Sequence, residues 1–207
     1  MTERLAKITS LVFHPIFVPI YGVFAISSFH LVVASKLNAQ PKALLLSMYC
    51  VLLSFLPLLG VMFLLNKYKI DELSKISLSE RRLSAWALCL IYALEFWFLD
   101  NYFFHPFLRL FVLALCLSSG VLAMLSAYKK VSFHVFGWSG LLVLTFVLGV
   151  KNNPMFIFGI LLVLLITGLV ASARLKLKAH TKQEVYLGFI FGLICNIAVY
   201  LFFDGRV

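Results

Sequence analysis

Seven apolar runs, residues 11–34, 43–65, 83–99, 106–127, 135–150, 155–172 and 185–203, make up most of this chain, and only short polar stretches separate them. A helix needs about 20 mostly apolar residues to cross the hydrocarbon core of a bilayer, and these runs reach or approach that length. None alternates polar with apolar residues in the manner of a membrane β-barrel strand. Hydrophobic residues are 63% of the chain and charged residues 13%, so no stretch is polar enough to form a separate soluble module. The expectation is an all-α fold, a polytopic transmembrane helical bundle forming one integral membrane domain over residues 1–207. Seven spans fit the runs, and six remain an alternative because run 83–99 is short. Between the fifth and sixth runs, Lys151-Asn-Asn-Pro154 predicts a tight hairpin rather than one long helix. The first run is too long for a cleaved signal peptide and lacks a small-residue cleavage site. Cys50, Cys89, Cys116 and Cys195 stand singly within apolar runs, so they read as packing residues.

The polar connections are unequal. Counting crossings, the N-terminal decapeptide and the loops 66–82, 128–134 and 173–184 reach one membrane face, and these four stretches hold 13 of the 18 Lys and Arg residues. By the positive-inside rule that face is cytoplasmic. The rule accounts for an excess of cations and for nothing else. It does not call for histidines, a serine and an acid at fixed spacings among them.

Those spacings point to chemistry. Loop 66–82 places six residues between Lys75 and Arg82. Loop 128–134 carries Ser132 and His134, with Lys130 just before them. Loop 173–184 places five residues between Arg174 and His180, and three more before Glu184. If His180 and Glu184 lie on one helix they are a turn apart, where a carboxylate can hold a ring N–H. Cations, two histidines and one acid thus converge on one side of a bundle. His14 falls on the same face and reads as an interfacial structural residue at the headgroup entrance. Glu95, close to Asp100, reads as an interfacial acid on the far face, and Trp86, Trp97 and Trp138 as interface or packing aromatics.

In order and spacing, these residues resemble the three motifs of the type 2 phosphatidic acid phosphatase superfamily: Lys-x6-Arg-Pro, Pro-Ser-Gly-His and Ser-Arg-x5-His-x3-Asp. The resemblance runs from Lys75 to about Gly188. This chain departs from it at Leu83, Val131, Phe133, Ala173 and Glu184, and of these only Glu184, in place of Asp, is ionisable. The resemblance implies that Lys75, Arg82 and Arg174 bind phosphate oxygens with help from Ser132 and the adjacent Lys130. It also implies that His180 is the nucleophile, His134 the general acid and Glu184 the group that orients His180. The relatives usually work on the outer membrane face, against the cytoplasmic placement that the charge count predicts.

Phosphoryl transfer spreads charge over three equatorial oxygens, and guanidinium groups meet that demand with a planar fork. No cluster of carboxylates offers a Mg²⁺ site, so a metal-independent reaction with no cofactor is expected. At a membrane surface the substrate would be a lipid phosphate: phosphatidic acid, phosphatidylglycerol phosphate or an isoprenyl phosphate. Two other classes compete. An anionic-lipid transporter or flippase would use the same cations without hydrolysis, and a catalytically inactive membrane partner would need neither histidine. Nucleic acid is an unsuitable partner for cations held in short loops against a bilayer.

Overall fold

The computed structural model describes residues 1–34, 77–102, 106–152 and 156–203, and every regular element among them is a helix. In chain order these are α1 (Glu3–Val12), a 3-10 turn (Pro15–Phe17), α2 (Val18–Ala34), α3 (Leu78–Tyr102), α4 (Pro106–Leu125), α5 (Phe133–Asn152), α6 (Phe156–Lys176) and α7 (Lys182–Phe203). Five helical stretches are long and apolar enough to cross a membrane: Glu3–Ser28, Leu78–Leu99, Phe107–Leu125, Ile157–Lys176 and Lys182–Phe203. Phe133–Gly149 is apolar but shorter. Among the described residues the number is therefore five, and run 43–65, one of the six or seven spans expected, lies outside them.

Helix boundaries follow local chemistry. The first apolar run is not one helix, because His14 precedes a proline and adopts an extended conformation (φ −64°, ψ 139°), as a residue before proline favours. Thr2 caps α1 by accepting Leu5 N–H at 3.3 Å. The third run begins earlier than its hydropathy suggested. Ser77 and Glu80 form a capping box, in which Ser77 N–H donates to Glu80 Oε2 at 3.1 Å and Glu80 N–H donates to Ser77 Oγ at 3.3 Å. That box starts α3 at Leu78 and gives it 25 residues, removing the reason to treat this run as too short. Helices α5 and α6 are separate and pack together; of the hairpin turn expected at residues 151–154, Lys151 and Asn152 belong to α5 and the rest lies outside the described residues.

The centre of the bundle is α5. Val135, Phe136, Trp138, Leu144 and Leu148 are all buried on it, as expected of a helix that is apolar on every side. Helices α6 and α7 pack against it, as does α2, while α4 joins α3 to α7. Contact with α7 is backbone-close. A Cβ at Gly188 would lie 2.8 Å from the Ser132 carbonyl, and one at Gly192 would lie 2.6 Å from the Phe136 carbonyl. Small residues of this kind substitute for hydrophobic driving force between membrane helices. A polar tie supplements them, with Asn196 Nδ2 of α7 donating to Ser118 Oγ of α4 at 3.1 Å.

Two sequence readings change here. Cys89 and Cys116 are not isolated: α3 and α4 bring their sulfurs to 3.9 Å, and Cys116 also donates to the Cys89 carbonyl at 3.4 Å. Glu95 faces the interior of the bundle. It is buried at 6% exposure, because it continues the inward stripe Arg81, Ala85, Leu88, Tyr92, Glu95 and Leu99 of α3.

The close approach at Gly188 is testable. In detergent-solubilised protein, Gly188→Ala should lower stability by about 1–3 kcal/mol, the usual range for overpacking. Gly168→Ala, where nothing lies within 4 Å, should be neutral or stabilise by up to about 1 kcal/mol through helix propensity. Equal thermal midpoints for the two variants would contradict the packing described.

Candidate active site at one end of the bundle

Four stretches that are remote in sequence, 10–14, the start of α3, 130–134 and 174–184, meet at the end of the bundle where α5 and α7 begin and α6 finishes. The connection Lys129 to Ser132 is the hub. Its backbone is held by two side chains and a carbonyl from elsewhere: Arg81 Nη2 donates to the Val131 carbonyl at 2.6 Å, His180 Nδ1 donates to the Lys130 carbonyl at 3.1 Å, and Ser132 N–H donates to the Glu184 carbonyl at 3.2 Å. Buried backbone groups need such partners. Here the partners are the chemistry-bearing residues, so the loop that needs support also positions them.

The spacing between Arg174 and His180 has a local cause. Helix α6 ends in a Schellman motif, in which Ala179 N–H donates to the Arg174 carbonyl at 3.1 Å and Lys178 N–H to the Leu175 carbonyl at 3.0 Å. Lys178 takes the required left-handed conformation, with φ 52°. The chain reverses there and carries His180 back beside Arg174. His180 is consequently not on a helix with Glu184, as the sequence suggested, because α7 starts only at Lys182. A second capping box joins them instead. Thr181 N–H donates to Glu184 Oε2 at 3.1 Å, Glu184 N–H donates to Thr181 Oγ1 at 3.3 Å, and the same Oε2 takes His180 Nδ1–H at 3.0 Å.

With Nδ1 facing two acceptors, His180 carries its proton there and keeps a lone pair on Nε2. The ring is buried at 7% exposure. Burial first, then the charges of Arg174 and Arg81, lower its pKa from 6.5 to about 4, against the hydrogen bond and charge of Glu184. His180 is therefore a neutral imidazole at pH 7. Between those two values the unfolded chain takes up a proton that the folded chain refuses, so this group's contribution to stability falls as pH drops through that window.

Arg174 is buried, and its Nη1 donates to Ser10 Oγ of α1 at 3.3 Å. His134, also buried, directs Nε2 to the Ser10 carbonyl at 3.2 Å. His14 packs its ring edge-on against His134, with centroids 4.8 Å apart and planes at 80°. Ser132 is wholly buried, and its hydroxyl has no hydrogen-bond partner although it stands at the N-cap of α5. Arg81 lies over the Phe133 ring at 4.2 Å and within range of the charges of Arg174 and Glu184.

The expected residues thus divide. His134, His180, Glu184, Arg174 and Ser132 come together. Lys130 enters through its carbonyl. Lys75 lies outside the described residues. Arg82 is a correction, because it is exposed and its neighbour Arg81 occupies the site. Successive helical residues point about 100° apart, so once the Ser77 box fixes the start of α3 only one of the two arginines can face inward. The signal was present in the sequence: Arg81, not Arg82, shares a stripe with Ala85, Leu88, Tyr92 and Leu99. Ser10 and His14 are site residues that motif spacing alone did not identify as such.

Glu184→Gln isolates the carboxylate charge, since glutamine also serves in a capping box. NMR titration of the His180 ring should show its pKa moving further down in Glu184→Gln, which removes a charge that raises it, and up in Arg174→Gln, which removes one that lowers it. Unchanged titration in both variants would contradict the electrostatic arrangement.

Comparison with protein-family models, with curated proteins and with solved structures finds no match to this chain.

Proposed function

We propose that the chain is a metal-independent phosphatase for membrane lipid phosphates, of the kind its motifs resemble, acting through a phosphohistidine. One observation carries the reading. Arg81 Nε, Arg174 Nε and the Ser132 hydroxyl are three buried polar groups without hydrogen-bond partners, from three elements meeting at one site. Unpaired buried donors are costly and rare, and two of these belong to cations. A tetrahedral oxyanion supplies acceptors for all three. The start of α5 adds the positive end of a helix dipole.

The remaining groups suit group transfer to water. His180 Nε2 attacks phosphorus as its bond to the lipid oxygen breaks, and Glu184 stabilises the cationic phosphohistidine through Nδ1–H. His134 takes the acidic proton of the monoanionic phosphate ester and gives it to the departing alkoxide. Water then attacks phosphorus and returns a proton to His134, the N–P bond breaks, and its electron pair restores neutral His180 with release of inorganic phosphate. Arg81 and Arg174 hold the equatorial oxygens throughout. Five apolar stretches able to span a bilayer keep the site near lipid headgroups, so a substrate with its tail in the bilayer reaches it without leaving the membrane.

The decisive measurement is phosphate release from phosphatidic acid, phosphatidylglycerol phosphate and isoprenyl phosphates by purified protein, with and without EDTA. Turnover should be unaffected by EDTA, inhibited by vanadate and abolished in folded His180→Ala. Binding of these lipids without release would overturn the reading in favour of a lipid transporter or an inactive partner, and full activity in His180→Ala would overturn the phosphohistidine. Glu184→Gln should slow turnover by about 10²-fold, at the lower end of general acid–base contributions.

The two arginines give a sharper contrast. Arg81→Gln should lower kcat/KM by about 10²-fold or more, as loss of a positioned charge-stabilising donor does. Arg82→Gln should stay within about 2-fold, as expected where an exposed charge contributes little. The opposite ranking, with Arg82 essential, would restore the register predicted by motif spacing and refute the one described.

A further inference from the structure

We infer that the N-terminal helix α1 is a working wall of this site, and that Ser10 is a positioning residue that makes Nδ1 the nitrogen through which His134 exchanges protons. The inference rests on the phosphatase reading for its kinetic consequence. For its geometry it rests on α1 alone.

The last carbonyls of a helix lack partners within it. On α1 they are taken by specific side chains: the Ser10 carbonyl by His134 Nε2 at 3.2 Å, the Val12 carbonyl by the Tyr21 hydroxyl at 2.9 Å, and the Phe13 carbonyl just beyond by Trp138 Nε1 at 2.9 Å. Trp138 and His134 are one turn apart on α5, and Trp138 is almost wholly buried. Its ring stacks edge-on against Phe13 at 5.3 Å and lies beside Tyr21 at 5.2 Å. The end of α1 is therefore fixed by tryptophan and tyrosine independently of the histidine. Because that end is fixed, the carbonyl that meets His134 has a set position.

A carbonyl only accepts, so His134 carries its first proton on Nε2. Any proton that it donates to a leaving group or takes from water belongs to Nδ1. Ser10 acts twice, since its hydroxyl also receives Arg174 Nη1–H at 3.3 Å. One residue of α1 thus sets both the histidine and an arginine of the site. The outer side of α1 explains why such a helix is placed there: Leu5, Ile8, Leu11 and Val12 are exposed, an apolar face suited to lipid contact.

The test loosens α1 without altering either histidine, using Tyr21→Phe with Trp138→Phe, and Tyr21→Phe alone in case the pair fails to fold. Two phosphate monoesters are compared. Dodecyl phosphate has an alkoxide leaving group that needs a proton, and 4-nitrophenyl phosphate has one that leaves without it. The double variant should lose about 10-fold or more in kcat/KM on dodecyl phosphate relative to its kcat/KM on 4-nitrophenyl phosphate, because this ratio cancels effects on phosphate binding through Arg174 and on the later attack of water and keeps only the proton given to the leaving group. Tyr21→Phe should move the same way by less. Equal losses on both esters would mark a merely structural helix and overturn the proposal. A second readout does not depend on activity. In ¹⁵N-histidine-labelled protein, with the signal assigned by its loss in His134→Gln, His134 should be the Nε2–H tautomer in wild type and a mixture of tautomers in the loosened variants. Nδ1–H in wild type, or an unchanged tautomer in the variants, would overturn it. If wild type hydrolyses neither ester, the phosphatase reading fails and the tautomer result still decides whether α1 positions His134.

Discussion

Two guanidinium groups, Arg81 and Arg174, are buried within range of each other's charge, and Glu184 is the carboxylate that the structure places beside them. Such an arrangement is expensive. A buried charge without a full complement of partners carries a penalty of several kcal/mol, on the order of that measured when one member of a buried pair is removed. The surrounding fold holds the two cations together with fixed acceptors, the Val131 carbonyl for Arg81 and the Ser10 hydroxyl for Arg174. Neither acceptor neutralises charge. The site is thus short of negative charge, a deficit that the phosphate of the proposed substrate would meet.

Rigidity at this end of the bundle comes from backbone motifs more than from apolar packing. Two capping boxes start α3 and α7, and a Schellman motif stops α6. Each fixes the direction in which one functional side chain leaves the backbone: Arg81 from the first, Glu184 and through it His180 from the second, His180 relative to Arg174 from the third. Close approach at Gly188 then sets α7 against the Ser132 loop. Sequence spacings in this chain are therefore consequences of helix termini, and five residues between Arg174 and His180 are what this particular reversal needs.

Much of this was legible in the residues alone. Apolar runs gave the helices, and parity of crossings gave the convergence of Ser132, His134, Arg174, His180 and Glu184. Misreadings have a common origin, in that hydropathy locates a span but not its first turn. Starting the third run at residue 83 left the arginines in a loop, where either could serve, whereas Ser77 and Glu80 place both on a helix that admits one. The same lack of phase hid that Glu95 belongs to the inward stripe that begins with Arg81. Ser10, His14 and the Cys89–Cys116 approach depend on which helices become neighbours, and no local pattern records that.

The two histidines are anchored by different chemistry, and the difference suits different work. His180 leans on a carboxylate, which would favour the positive ring that the proposed bond from Nε2 to phosphorus creates. His134 leans on the Ser10 carbonyl, which fixes orientation but contributes no net charge. A ring stabilised as a cation holds what it has gained, whereas a ring merely oriented gives up its proton more readily. Exchanging the two anchors would leave a nucleophile whose cationic product is poorly supported and an acid reluctant to release its proton. Within the proposed reaction, the placement of Glu184 beside His180 and of α1 beside His134 assigns the two roles, although the side chains are chemically identical.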